Sequence, residues 1–192
     1  MASTPAVDHL FQIRSPTEAC LLPEQQAIAC HHTVAQLLFL SCIRCDIQTA
    51  VAFLTTRVKA PDEDDWGKLK CVLKNLHGTR YLKLTLSVDS LSILHWYVNA
   101  SHQTHDNCCG HTDALLTLGS GAVLSSSTKQ KLNTKSSMET ELIAVHDKTD
   151  DILWTRLLKA QGYTITENIV FQDNMSMLSL EKNGRSSSSK CA

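Results

Sequence analysis

The spacing of apolar residues changes at Gly78, and this change divides the chain into two kinds of structure. Before Gly78, apolar residues recur every three or four positions, as they do across residues 47–58, which is typical of amphipathic helices. After Gly78, apolar and polar residues alternate across residues 82–87, which is typical of β-strands. The sequence therefore predicts a small helical unit followed by a unit built on a sheet.

The first part of the chain predicts three helices after an irregular start. Residues 1–29 contain three prolines and are expected to be irregular, whereas residues 30–80 form the helical unit. Asp46 is expected to cap the second helix. Pro61 suits the first position of the third helix, and the four acidic residues after it favour a helix N-terminus because they oppose its positive dipole end. Gly78 is expected to follow the last residue of that helix.

Residues 81–192 predict an α/β unit with a mixed sheet. The predicted strands are residues 82–87, 91–98, 111–118, 122–126 and 167–172, the first of which is either a sheet strand or only a linking strand. A long helix precedes the last strand, which therefore returns beside the others through a crossover. Three consecutive apolar residues in that strand predict burial on both of its faces. A final helix is predicted from Met175 to Lys182, with Gly184 ending it and a loose serine-rich tail following.

Three polar residues lie where the predicted elements of this unit begin or end. Asn99 closes the second strand, Glu141 lies in the first turns of the long helix, and Asp173 follows the last strand. Ligands of such sheets gather outside the strand ends, and divalent cations such as Mg²⁺ prefer oxygen ligands. The spacing therefore permits a cation site, although acidic residues at such positions are more often simply solvated.

Several motifs in the second unit resemble, in their order, the ribonuclease H region of Pol polyproteins from copia-type LTR retrotransposons. Residues 136–141 read Ser-Ser-Met-Glu-Thr-Glu, where the family has Ser-Ser-Thr-Glu-Ala-Glu. Residues 152–154 read Ile-Leu-Trp, and residues 172–176 read Gln-Asp-Asn-Met-Ser, as in the family's next helix and strand end. The resemblance extends over roughly Asp8 to Lys190 and so covers nearly the whole chain.

The helical unit is similar to the end of a copia-type reverse transcriptase. Residues 32–40, 46–51 and 66–70 carry this resemblance, together with Leu-His-Gly-Thr at residues 76–79. The Tyr-x-Asp-Asp motif of the polymerase palm does not occur in the sequence. The acidic run at residues 62–65 is expected to be a helix start and not a substitute for that motif. We therefore expect a remnant beyond the palm that does not synthesise DNA.

The resemblance implies an ancestral enzyme that hydrolyses RNA in RNA–DNA hybrids with two Mg²⁺ ions. It implies that Glu141 and Asp173 are metal ligands, with Glu139 as the alternative to Glu141 on the helix. The family pattern Val-Asp-Ala-Ser supplies another ligand, but this chain reads Val-Asn-Ala-Ser, so Asn99 stands at the position of the expected Asp. An amide brings no negative charge to offset the repulsion between two cations.

Taken together, these features predict a degenerate fragment that has lost its activity. The chain ends at Ala192, where the family continues with a basic, histidine-containing segment, so we also expect the ribonuclease H sheet to be incomplete at its C-terminus. The alternatives are residual metal-dependent ribonuclease H activity, or a fragment that binds nucleic acid or protein without cutting. The first would depend on a cation held at Glu141 and Asp173 despite Asn99.

Charge and hydropathy narrow the expected partners and location. The net charge is −1, whereas a nucleic-acid-binding domain usually carries a basic excess, so affinity for an RNA–DNA hybrid is expected to be weak or absent. No apolar run reaches the length of a membrane span, and the first residues lack the apolar core of a secretory signal. The eight cysteines are then expected to be free thiols inside the cell, in either cytoplasm or nucleus.

One short segment combines histidine and cysteine in a way that resembles a metal site. Residues 102–111 contain three histidines and two cysteines. They fall between two predicted strands, and the spacing does not match a common zinc motif. A solvated loop is therefore the favoured interpretation.

Overall fold

The computed structural model describes residues 2–15 and 17–183. The chain divides into two compact units, of which the first ends at Leu84 and the second begins at Thr85. The predicted boundary lies slightly earlier, between residues 80 and 81. Within the described ranges, no helix is long and apolar enough to cross a membrane.

The first unit contains three α-helices around one apolar core. They are α1 (Glu24–Leu40), α2 (Gln48–Arg57) and α3 (Glu63–Gly78), with a single 3₁₀ turn (Cys45–Ile47) before α2. The core includes Val34, Leu37, Ile47, Val51, Phe53, Leu54, Leu69 and Val72, all of them buried. Burying each large side chain contributes about 1.5–3 kcal/mol, so this stripe of apolar residues holds the helices together.

Two helix starts in this unit differ from the prediction. α1 begins at Glu24, directly after Pro23, so residues 24–29 are helical and not irregular. Proline is compatible with a helix start because its fixed φ suits that position, and here it marks a beginning and not a break. The N-cap of α2 is Ile47 and not Asp46, which lies in the 3₁₀ turn before it and accepts hydrogen bonds from Arg44 Nε and Nη2 at 2.8 and 2.6 Å.

The third helix begins two residues later than predicted, at Glu63 in place of Pro61, and ends one residue later. Asp62 is its N-cap, and its Oδ1 accepts from the Asp65 backbone N–H at 2.8 Å. The Asp65 carboxylate accepts from the Asp62 N–H at 3.1 Å, which completes a reciprocal capping box. Gly78 is the last helical residue, and Thr79 caps the C-terminus. The acidic run thus acts as a helix start, but through a paired cap that the composition alone does not specify.

The second unit is an α/β structure with a mixed four-stranded sheet. Its strands are β1 (Ile93–Ser101), β2 (Cys109–Thr117), β3 (Leu124–Asn133) and β4 (Glu167–Phe171), in the order β3-β2-β1-β4. The first three strands are antiparallel neighbours, and β4 is parallel to β1. Between β3 and β4 lie α4 (Ser137–Leu153) and α5 (Thr155–Ala160), and α6 (Met175–Asn183) follows β4. This arrangement confirms the predicted α/β class, the mixed sheet and the crossover before the last strand.

Several predicted elements of this unit have different bounds or surroundings. Residues 82–87 form no strand; instead, the Ser87 N–H donates to Ser120 O at 3.0 Å, so the segment lies along the β2–β3 turn. β3 continues to Asn133, well past the predicted end at residue 126. β4 is an edge strand with only partial burial, because the sheet has no described strand beyond it. The predicted stop at Gly184 and the serine-rich tail lie outside the described residues.

The two faces of β1 have different environments. Leu94, Trp96 and Val98 are buried in apolar clusters that include Ala144 of α4. Tyr97 alternates with them and projects from the other face, where its ring stacks on Phe171 with centroids 4.7 Å apart. Because α4 packs across β1, its first turns lie near the end of that strand. This packing positions the candidate site.

Candidate functional site at the end of the central strand

Glu141 is the buried carboxylate of the site. It lies in the first turns of α4, whose start is fixed by Ser136 Oγ accepting from the Glu139 N–H at 3.2 Å. Only 4% of Glu141 is exposed. Its Oε2 accepts a hydrogen bond from Gln172 Nε2 at 3.0 Å, which ties the helix to the segment after β4. The carboxylate is thus held in place from two elements.

The surroundings of Glu141 disfavour its negative charge. Burial raises the pKa of this carboxyl above its ordinary value, and the charge of Asp173 raises it further. The hydrogen bond from Gln172 and the backbone N–H of Ala100 lower the pKa and offset part of this effect. A carboxyl with a raised pKa and two oriented donors is a feature of functional sites, although structural networks also produce it.

Asn99 is an exposed residue within β1 and does not close the strand as predicted, because the pairing with β2 continues to Ser101. Its Oδ1 accepts from the Ala100 N–H at 2.9 Å. A hydrogen bond from the same N–H lowers the pKa of Glu141, so this backbone group serves both the amide oxygen and the carboxylate. Asn99 also pairs across the strands with Asp113 of β2. Asn99 and Glu141 thus both lie near the Ala100 N–H, but Asn99 is on the face of β1 that Tyr97 shares and not on the face that packs against α4.

Asp173 joins the same region from the end of β4. Its side chain is exposed, and its negative charge contributes to the raised pKa of Glu141. Gln172 orients this segment, because its Oε1 accepts from the backbone N–H groups of Asp173 and Asn174 at 2.8 and 3.3 Å. The motif at residues 172–176 includes Gln172, but the sequence does not indicate the role of its side chain. Its position immediately before Asp173 was the one available signal, and the two roles of its amide depend on the fold.

Glu139, the alternative ligand on the helix, has a different role. Its Oε2 accepts from the Lys135 N–H at 2.8 Å, so this carboxylate stabilises the loop that enters α4. It is part of the helix start together with Ser136. Of the two glutamates, Glu141 is the one that contacts the Ala100 and Gln172 donors.

The donor set that the family motif assigns to this point carries little negative charge. It consists of two carboxylates, Glu141 and Asp173, and the neutral amide of Asn99. Among residues 2–15 and 17–183, no group of three or more His, Cys, Asp or Glu side chains is arranged to hold a metal ion. Two Mg²⁺ ions about 3.5–4 Å apart need more negative charge than two carboxylates supply. The residues present therefore do not fit a two-ion centre.

The prediction of a solvated loop at residues 102–111 is wrong, because three of its histidine and cysteine side chains are buried. His105 and His111 are 4% and 1% exposed, and Cys109 is buried as well. The two imidazoles contact each other, with His105 Nε2 and His111 Nδ1 3.0 Å apart. The segment folds inward because polar partners from β3 satisfy these rings, including Ser127 Oγ at 2.7 Å from His111 Nε2.

Sequence comparison places the chain near one class of protein, the Pol polyproteins of plant retrotransposons. It is 29% identical over 186 residues to a retrovirus-related Pol polyprotein from transposon TNT 1-94 of Nicotiana tabacum, which covers 94% of the chain and 14% of that relative. It is also 29% identical over 145 residues to the corresponding polyprotein from transposon RE2 of Arabidopsis thaliana, covering 74% of the chain and 10% of the relative. These relatives support a retrotransposon-derived Pol sequence that spans a small share of their length.

Two further comparisons found nothing. No protein-family model matches the chain. No solved structure matches it significantly either.

Proposed function

We propose that the second unit is a ribonuclease H-like domain of a copia-type retrotransposon Pol polyprotein that has lost catalysis. Its ancestral reaction is the hydrolysis of RNA in RNA–DNA hybrids by two Mg²⁺ ions. The observation that carries the proposal is the Ala100 N–H, which donates to Asn99 Oδ1 and lowers the pKa of Glu141, a pKa that burial and the charge of Asp173 raise. An amide stands where the family motif has a third carboxylate.

Charge decides between an active and an inactive site. Two divalent ions about 4 Å apart repel each other by on the order of 15 kcal/mol at an effective dielectric constant near 20. Glu141 and Asp173 offset only part of this repulsion, and burial already opposes ionisation of Glu141. A site of this kind holds a second ion poorly. The presence of Asn99 in place of the Asp of the family motif is therefore sufficient to explain an inactive enzyme.

We propose that the first unit is the end of a reverse transcriptase, beyond the palm. It is a helical unit, and the Tyr-x-Asp-Asp motif is absent from the sequence. The RNA–DNA hybrid is the ancestral partner of the polyprotein and is expected to bind weakly to this near-neutral chain. An intracellular location follows from that ancestry.

The test is a cleavage assay with the purified chain and a labelled RNA–DNA hybrid in Mg²⁺ or Mn²⁺. The wild type should cleave no faster than Glu141→Gln, because no competent metal centre remains to be removed. Cleavage by the wild type that disappears in Glu141→Gln would contradict the proposal and would establish residual ribonuclease H activity. Hybrid binding without cleavage, measured by fluorescence anisotropy at low salt, would leave the inactive site in place and indicate a binding role.

A further inference from the structure

The turn between β1 and β2, residues 102–108, folds back over a buried pair of histidines. His105 comes from the turn and His111 from β2, and the nitrogens that face each other are 3.0 Å apart. Both side chains are almost fully buried. The far nitrogen of His111, Nε2, is 2.7 Å from Ser127 Oγ on β3. The turn is therefore connected to the sheet through a chain of two imidazoles and one hydroxyl.

This chain of hydrogen bonds sets a limit on protonation. A hydrogen bond between His105 Nε2 and His111 Nδ1 requires that at least one of these nitrogens carries no proton. One proton added to the pair places a charge at a site with little access to water. A second proton places two N–H groups face to face and removes the hydrogen bond. The closed turn thus favours neutral rings.

The charged groups around the pair act in both directions. Lys129 of β3 and the neighbouring imidazole oppose a charge on His105, whereas Asp106 of the turn favours it. Asp113 of β2, 3.9 Å from His111 Nε2, favours a charge on His111. Burial outweighs the acidic groups, and it lowers the pKa of His105 to about 4 and the pKa of His111 below its ordinary value.

The backbone of the turn is strained when it is closed. Gln103 and Cys108 have φ angles of 49° and 59°, in the left-handed region that residues with a Cβ rarely adopt. Two backbone hydrogen bonds hold this shape, from the Cys108 N–H to His105 O at 2.8 Å and from the His105 N–H to Cys109 O at 3.1 Å. Such strain persists only where surrounding contacts maintain it, and the histidine pair is one of those contacts.

We propose that residues 102–108 form an acid-sensitive latch, closed while His105 and His111 are neutral and opened by their protonation without unfolding of the sheet. Opening also affects the candidate site. His102 Nδ1 is 2.8 Å from Thr140 Oγ1, the residue before Glu141, and 3.1 Å from Thr134 Oγ1. When the turn leaves the sheet, these bonds are lost and the start of α4 loses a support.

The pH range over which the turn opens follows from the difference in proton affinity between the closed and the open turn. Because the pKa of His105 is lower in the closed turn than the ordinary 6.5, the open turn binds the proton more tightly. The closed state is fully favoured above about 6.5 and loses that advantage as the pH falls toward about 4. A shift of this size changes the opening equilibrium on the order of 100-fold across the range.

Hydrogen exchange of the full chain tests the latch. After correction for the intrinsic pH dependence of exchange, the amides of His105 and Cys108 should lose protection on the order of 100-fold between about pH 7 and pH 4. Amides in the β1–β2 ladder, such as those of Val98 and Leu116, should keep theirs. Unchanged protection in the turn would overturn the proposal, and so would loss of protection by turn and ladder together, since that is global unfolding.

A matched pair of variants assigns the effect to the histidine pair. His105→Asn should weaken the pH dependence of exchange in the turn to the part that His111 contributes, whereas His95→Asn, at a half-buried histidine of β1, should retain it in full. Equal effects of the two variants would overturn the assignment. If His105→Asn does not fold, imidazole titration of the wild type by NMR replaces it, and an unshifted pKa for His105 would overturn the proposal equally.

Discussion

The negative charge of Glu141 lowers the stability of the fold. Its pKa is raised in the folded chain, mainly by burial. Folding therefore favours the protonated carboxyl, so the stability that this group contributes is present at acid pH and is lost as the pH rises through the raised value. Residues that carry chemistry often have this cost, because a site needs a charge where packing alone would not place one.

Replacing Glu141 with glutamine tests this cost. We expect Glu141→Gln to raise the free energy of unfolding at pH 7 by about 0.5–1 kcal/mol, because the amide keeps an acceptor without a buried charge. The gain should disappear below the ordinary pKa of glutamate, where the wild-type carboxyl is neutral as well. Urea denaturation at both pH values measures the difference.

Glu139 provides the control for that experiment. It lies on the same helix, and its carboxylate accepts from the Lys135 N–H at the helix start. Glu139→Gln should be neutral or slightly destabilising at pH 7, since a negative charge near a helix N-terminus is favourable. A loss of stability in Glu141→Gln, or an equal gain in both variants, would contradict the account of Glu141.

At the scale of elements, the start of α3 has a specific cap that the sequence only suggested. The capping box between Asp62 and Asp65 satisfies two backbone N–H groups, and Arg57 Nε contacts Asp65 at 3.0 Å. Burial raises the pKa of Asp65, so the hydrogen bonds and Arg57 are needed to keep its carboxylate in place. This end of the helix therefore depends on a small set of polar contacts.

Removal of the cap is expected to destabilise the first unit. Asp62→Ala should lower the free energy of unfolding by about 1–2 kcal/mol, because the Asp65 N–H loses its acceptor at a buried position. Glu63→Ala, in the same turn but exposed, should cost no more than about 0.5 kcal/mol. Thermal or urea denaturation followed by circular dichroism compares them, and equal losses would show that only helix-end charge matters.

The elements that the sequence predicts best are those in which apolar residues recur at a regular spacing. β1 and the helical stretch before β4 follow from their apolar spacing, although the one helix predicted to end at Gly162 is divided at Trp154 into α4 and α5. The predicted β3 ends at residue 126, and six of the seven residues at 127–133 are polar, yet Gln130 is buried there and donates to Thr112 Oγ1 and Thr140 O. Such burial depends on partners far along the chain, so no local pattern indicates it.

Burial of β4 was overestimated for a related reason. Its run of apolar residues predicted cover on both faces, whereas it is an edge strand in the described sheet and Phe171 is 42% exposed. Phe171 instead stacks on Tyr97 at the surface of the sheet. The position of a strand in the sheet order decides its exposure, and that order is a property of the whole fold.

At the scale of the whole molecule, the chain divides into two compact units, each with apolar clusters of its own. The motif order and the predicted strand ends single out Asn99, Glu141 and Asp173 as candidate site residues, and their role at a metal centre stays a prediction. The supporting contacts were not, since Gln172 and the Ala100 N–H act through geometry alone. The inward-folded histidine turn was also missed, because its partners lie on another strand.

The central claim is that Asn99 is the point at which the metal centre fails. Titration of the purified chain with Mg²⁺, followed by amide chemical shifts of residues around Ala100, tests it most directly. Asn99→Asp should bind Mg²⁺ at least about tenfold more tightly than the wild type, since one recovered carboxylate contact is worth more than about 1.4 kcal/mol. Asn107→Asp, the same change at an exposed turn position, should match the wild type. Binding of Mg²⁺ by the wild type as tight as by Asn99→Asp would contradict the account.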